Sequence, residues 1–337
     1  MENNNMNQPM NKAGLYTLSI RLVIGWTYFS AFWRRLVLEN KLIPDEQGYI
    51  GEKFNHFLPN ALGIKPIIEY LVTHPDALHT SMVTFTIIEG IIGLLIILGV
   101  FTRLMSIGIF GLAFGILLGS GWLGTTCLDE WQIGVLGIAG GFTLFLTGSG
   151  PYSFDYYFMK KNWPFTRKKW FGWTGSGSFP IQNPKIFVLI LSVFIFGITL
   201  FTNQYFHGGV WGTLHNKSVK PKIEISDLKL HESDISFNAY RTEGADVYGS
   251  FLIGIHILDQ NGKILKALHA DDLSKFQSDH IKNYYVAKVK PGKHSLIIPL
   301  GAKADIKLNI GDISDLRNKI HSIKLIDVSG IEWTATF

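Results

Sequence analysis

The chain has 337 residues, 47% of them hydrophobic and only 17% charged, with a formal net charge of +5. So little charge argues against an ordinary soluble enzyme, and no compact basic and aromatic module points to nucleic acid. The single cysteine, Cys127, excludes an intrachain disulfide and a CxxC redox or metal pair.

The apolar residues gather before about residue 206, and the remainder alternates and carries most of the lysines. That division predicts a membrane part followed by a soluble part. Residues 1–12 are polar and are expected to form a disordered inner tail. Five stretches approach the roughly 20 residues that a helix needs to cross hydrocarbon. They are Ala13–Trp33, Ser81–Val100, Leu104–Trp122, Trp131–Thr147 and Ile186–Phe206.

The first span holds Arg21, whose charge must snorkel or pair. It is either structural or part of a quinone site, with Glu89 as a candidate partner. Trp33, Arg34 and Arg35 close the span. An aromatic residue followed by arginines is normal at an interface, but two guanidiniums also make a forked clamp for an oxyanion.

Residues 36–80 form a long outer loop, and the stretch 34–80 has five basic and six acidic groups. Ile50–Leu62 and Pro66–Leu71 read as short amphipathic helices lying on the membrane or over the bundle, a candidate lid. His56, His74 and His79 match no strong local metal motif, so no metal site is expected. Glu89 lies midway along the second span, where a carboxylate must be protonated or paired. Proton handling and a helix-to-helix bond are both open to it.

A polar ledge, Gly119–Ile133, separates the third and fourth spans and carries Cys127, Asp129, Glu130 and Trp131. Asp129 is placed to cap the fourth helix. A helix N-terminus and nearby arginines would lower the Cys127 pKa, whereas Asp129 and Glu130 would raise it. The linker 151–184 is basic and aromatic, with Lys160, Lys161, Arg167, Lys168 and Lys169, and reads as an inner-leaflet anchor. The positive-inside rule then places the N-terminus inside and the ledge outside, with the domain after the fifth span also outside.

Beyond the fifth span the pattern is that of strands. Lys222–Leu230, Val247–Asp259, His294–Leu300, Ala304–Ile310 and Ser322–Val328 alternate, with turn signals at Asn261-Gly262 and Pro291-Gly292. Ala270–Phe276 reads as one short helix. A β-sandwich or barrel follows. Tyr240–Gly249 reads as a polar loop in which Arg241 can meet an anion.

No dinucleotide fingerprint, Walker loop, haem CxxCH, zinc-protease spacing or serine elbow is present. Redox chemistry without such a motif needs an acceptor from outside the chain, and a membrane quinone can be one. Arg21, Glu89 and Trp131 sit where its head could rest.

Phe101–Leu104 with Trp122–Gly134 resembles the DoxD subunit of thiosulfate:quinone oxidoreductase, and DoxX-like four-helix membrane proteins share the general layout. His207–Lys222 and Ala239–Leu252 resemble the partner subunit, DoxA. The two resemblances cover nearly the whole chain and imply a DoxD–DoxA fusion. The implied architecture is a four-span membrane domain over 13–150, the basic linker 151–184, a fifth transmembrane helix over 185–206 and an extracytoplasmic all-β domain over 207–337.

The resemblance further implies oxidation of thiosulfate to tetrathionate at the outer face of the cytoplasmic membrane. Membrane quinone is the electron acceptor, and no tightly bound cofactor is expected. On that reading Cys127, Asp129 and Glu89 are catalytic. Arg34, Arg35, Arg241 and His215 hold thiosulfate, and Arg21, Trp131 and Trp33 line the quinone site. Thiosulfate, quinone and the lipid bilayer are the expected partners, and a homo-oligomer is compatible with them. Two other readings stay open: another sulfur donor, and a non-enzymatic membrane assembly or transport-associated protein.

Overall fold

The computed structural model describes residues 12–337 apart from 45, 47, 125–128, 182 and 247–249, with the side chains of Asp129 and Ser314 also left out. Ten α-helices precede the strands among the described residues: α1 Lys12–Tyr16, α2 Leu18–Phe32, α3 Glu52–Phe57, α4 Lys65–Thr73, α5 Pro75–Leu98, α6 Thr102–Ser120, α7 Asp129–Thr147, α8 Phe154–Lys160, α9 Lys169–Thr174 and α10 Lys185–His207. The strands are β1 Lys222–Leu230, β2 Asp234–Glu243, β3 Ser250–Asp259, β4 Ile264–His269, β5 Ile281–Asn283, β6 Lys290–Pro291, β7 Leu296–Ile298, β8 Lys303–Asn309, β9 Ile320–Asp327 and β10 Glu332–Thr336. Helix α11, Ala270–Ser274, lies between β4 and β5.

The chain divides into two compact units. Residues 12–49, 79–121 and 130–214 make the first; residues 50–78, the ledge stretch 122–124 and residues 215–337 belong to the second.

In the first unit, α5, α6 and α10 are long and apolar enough to cross a membrane. The other two expected spans form helices with a weaker apolar character. Helix α2 ends after 15 residues and continues as a π-helix over Trp33–Leu38. Helix α7 opens with Asp129, Glu130 and Gln132. Tyr28, Ile92, Ile96, Ile109, Leu112 and Leu144 form the apolar centre of the bundle. Small residues let the backbones close up: a Cβ on Gly93 would stand 2.5 Å from the Phe29 nitrogen.

One end of this bundle is fastened by buried charge. Asp155 accepts from the Phe101 and Thr102 amides at 2.8 and 3.0 Å and from the Ser176 hydroxyl at 2.7 Å. These bonds stabilise the turn between α5 and α6, where Phe101 takes a φ of 45° that an L-residue rarely adopts. Arg103 donates to the carbonyls of Phe145, Gly172 and Gly177 at 2.7–2.9 Å. The basic linker is therefore bonded to the helices, as well as carrying exposed Trp163, Trp170 and Trp173.

The second unit is an all-β domain with added segments. One sheet runs β1-β2-β8-β5 and the other β10-β9-β3-β7-β6, with β4 on β3, and every pairing is antiparallel. Ile235, Phe237, Leu252, Ile255, Ile306 and Leu325 belong to one apolar core between these strands. A strict period of two cannot turn Leu252, Ile255 and Ile257 to one face. A register shift against β9 between Leu252 and Gly254 supplies the extra residue. The expected strands thus appear as β1, β3, β7, β8 and β9. The expected polar loop from Tyr240 is corrected: Tyr240–Glu243 completes β2.

Helices α3 and α4 form where two amphipathic helices were expected. Leu58 and Ala61 between them, with Ile68 and Val72 on α4, pack on Tyr285 and Val286 of the β domain.

Candidate functional site

Two polar clusters stand out, one in each unit. In the first, the π-helical turn after α2 re-aims the twin arginines. Arg35 Nη1 donates to Glu89 Oε2 at 2.6 Å, and Arg34 stays exposed, with Nε 3.3 Å from the Ser30 carbonyl oxygen. Glu89 and Thr86 are buried one helical turn apart on α5, and Thr86 Oγ1 has no hydrogen-bond partner. Tyr28 is buried in the same bundle, its hydroxyl directed at α7, where a Cβ on Gly137 would lie 3.0 Å away.

Arg21 was one candidate partner for Glu89. Instead its Nη1 and Nη2 donate to the Ser149 and Tyr152 carbonyls at 2.6 and 2.5 Å, at the end fastened by Asp155. Its reach is spent on the loop after α7, which corrects the pairing. Trp131 Nε1 donates to Thr202 Oγ1 at 3.0 Å and so ties α7 to α10. Trp33 is 40% exposed, beside Phe29 at 5.9 Å between ring centres.

The second cluster gathers around Trp122 and Gly124. Gly124 N donates to Ser218 Oγ at 3.0 Å, and its carbonyl accepts from Asn216 Nδ2 at 2.7 Å and from the Ser218 hydroxyl. Trp122 is buried, with Nε1 on the Phe57 carbonyl at 3.2 Å. Lys217 Nζ reaches Asn60 Oδ1 at 3.0 Å, and Asn60 Nδ2 in turn donates to the Thr242 carbonyl at 2.9 Å. Lys53 pairs with Asp246 at 3.0 Å. His215 is exposed next to this run. Asn216 and Ser218 escaped the sequence reading, although they lie inside the His207–Lys222 run; neither carries a charge to mark it. Cys127 lies outside the described residues, as does the Asp129 side chain.

Arg241 is no open anion site. It is 2% exposed, and its guanidinium donates to the carbonyls of Ala245 at 2.8 Å and of Glu243 and Ile298 at 3.3 Å. Burial lowers its pKa to about 10, against the pull of Asp327 and Asp246. The side chain fastens the end of β2 to the following turn. His56 is also enclosed: burial pushes its pKa down to about 4, and Nδ1 has no partner. Among the described residues no group of three or more His, Cys, Asp or Glu is placed to hold a metal.

A membrane-embedded helical region carrying a buried ion pair, ahead of an all-β domain, defines the class: a membrane protein with a soluble C-terminal domain. Residues 16–182 match the family described as TQO small subunit DoxD, and residues 206–336 match TQO small subunit DoxA, TQO being thiosulfate:quinone oxidoreductase. The chain belongs to these two oxidoreductase-subunit families, joined in tandem as a DoxD–DoxA fusion. No solved structure matches it.

Proposed function

We propose that the protein oxidises thiosulfate to tetrathionate at the outer face of the cytoplasmic membrane and passes the electrons to a membrane quinone. The observation that carries this reading is the presence of both subunit families of one oxidoreductase in a single chain. Two thiosulfates join through a new S–S bond and release two electrons. Quinone takes up those electrons with two protons and leaves as quinol.

The chemistry asks for cations where two dianions meet, because their repulsion must be neutralised. Exposed Arg34 meets that need in the first unit, and exposed Lys217 and His215 do so in the second. The ledge faces outward in this reading, since Lys160, Lys161, Arg167, Lys168 and Lys169 favour the inner side. Cys127 is the proposed sulfur relay. Its thiolate bonds the sulfane sulfur of one thiosulfate as two electrons leave for quinone. A second thiosulfate then attacks that sulfur, releasing tetrathionate and restoring the thiolate.

The test is turnover by the purified protein in detergent with a short-chain quinone. Thiosulfate loss, tetrathionate formation and quinone reduction in a 2:1:1 ratio are expected. Reduction by sulfite or sulfide but not thiosulfate would replace the donor, and no reduction by any of them would sink the enzyme reading. Cys127→Ser at near-normal turnover would remove the relay alone.

A further inference from the structure

We infer that the quinone head docks at the Arg35–Glu89 pair, with Thr86 as its hydrogen-bond donor and the aromatic row of α2 as its wall. This rests on the reading that a quinone is the acceptor, and it gives that acceptor a place.

Thr86 is the first indication. A helical threonine commonly returns its hydroxyl to the carbonyl four residues back, as Thr27, Thr143, Thr199 and Thr202 do here. Thr86 does not, and its Oγ1 is wholly buried without a partner. An unpaired hydroxyl in a helical bundle is costly to keep, and a carbonyl oxygen entering from lipid would satisfy it. Thr86 precedes Glu89 by three residues, so the two share one face of α5.

The aromatic row is independent of that. Trp26, Phe29, Phe32 and Trp33 stand at successive ring-centre distances of 6.0 Å (Trp26 to Phe29), 5.8 Å (Phe29 to Phe32) and 5.9 Å (Phe29 to Trp33). Phe32 rests on Gly90, the residue after Glu89, where a Cβ would come within 2.6 Å of its ring. Trp26 and Trp33 are 56% and 40% exposed, so the row is open to lipid, and at Phe32 it meets α5 beside the residue that follows Glu89. Flat rings in this sequence suit a planar quinone arriving from the bilayer.

The ion pair supplies the protons. The Arg35 side chain is 22% exposed and that of Glu89 only 4%, so the pair reaches from the bundle surface to its interior. A protonated Glu89 donates to one quinone oxygen, and Arg35 then stabilises the carboxylate in the contact seen here. Glu89 is recharged from water on the Arg35 side and supplies the second proton. The two electrons come from S–S bond formation between two thiosulfates. The roughly 260 Å³ crevice lined by Phe110, Phe142, Phe187 and Phe194 carries no charged side chain, and its one hydroxyl, Ser106, already donates to the Thr102 carbonyl; the crevice of about 360 Å³ with Lys293 and His294 lies in the β domain, away from the apolar spans.

Photolabelling with a short-chain azido-quinone, on the full chain in detergent and without thiosulfate, tests the site. Label is expected within residues 26–33 or 82–93. Thr86→Val should weaken quinone binding about fivefold or more, the worth of one buried hydrogen bond, and Thr86→Ser should restore it. Glu89→Gln should keep binding within about twofold and cut turnover about 100-fold. Label on the α6, α7 and α10 crevice, or unchanged binding by Thr86→Val, overturns the inference. Correct labelling with no thiosulfate-driven reduction supports the site and instead defeats the thiosulfate reading.

Discussion

Asn55 and Gly301 lock the segment after Tyr49 onto the β domain. Asn55 Nδ2 donates to the Gly301 carbonyl at 3.1 Å, and Asn55 Oδ1 accepts from the Ala287 amide at 3.1 Å. The backbone approach is equally close, since a Cβ on Gly301 would lie 1.7 Å from the Asn55 carbonyl oxygen. Gly301 also sits at a φ of +73°, which favours glycine on its own account.

Asn55→Ala should therefore lower stability by about 2–4 kcal/mol, because it strands a buried carbonyl and a buried amide. Gly301→Ala should cost more, since α3 must move to admit one methyl group. Thermal unfolding of the full chain in detergent measures both. A midpoint for Gly301→Ala equal to wild type would refute the close approach.

Arg241 separates structure from substrate binding. If its work is to hold carbonyls, Arg241→Ala should unfold several degrees earlier, with a loss of about 3 kcal/mol or more. The KM for thiosulfate of the folded fraction should stay near wild type. A large rise in KM at an unchanged melting point would restore the anion-binding role.

The membrane and β parts were legible because their signals are long. Five apolar stretches and the alternation of β1, β8 and β9 need no knowledge of partners. Strand β2 was missed because its inward positions run Ile235, Phe237, Ala239 and then Arg241. An arginine at the end of that row looks like a loop residue until its carbonyl partners are known. Arg35 was read as an outward clamp for the same reason. Only the π-helical turn shows that it faces Glu89, and no local sequence pattern announces that extra residue. The ownership of residues 50–78 was likewise hidden, since an apolar helix face does not say whether lipid or a β domain will cover it.

His56 sets a pH dependence. Unfolded, its ring protonates near pH 6.5; folded, burial holds it neutral down to about 4. Between those values the unfolded chain carries the extra proton. Stability should therefore fall as pH drops through this window, by up to about 3 kcal/mol, and be flat above it. His56→Leu should flatten the 4–6.5 limb of an unfolding-against-pH curve. An unchanged limb in that variant would assign the acid sensitivity to another group.

Arg103 provides the final test, at the opposite kind of position, where a charge serves packing. Its Nε donates to Phe145, and Nη1 is shared by the carbonyls of Gly172 and Gly177 with Gly175 at 3.2 Å, while the guanidinium lies 5.2 Å from the Phe179 ring centre. A planar fork can serve a helix end and a linker turn at once, whereas a lysine offers one flexible ammonium. Arg103→Lys should thus lose at least two charge-assisted bonds, about 3 kcal/mol, and free the Gly172–Gly177 turn from α6 and α7. The neighbouring Arg167, Lys168 and Lys169 are trypsin sites, so release is directly readable. Trypsin should cut the variant in detergent at those residues many times faster than wild type, with cuts elsewhere unchanged. Equal cleavage rates would mean that exposed Trp163, Trp170 and Trp173 hold the linker without the arginine.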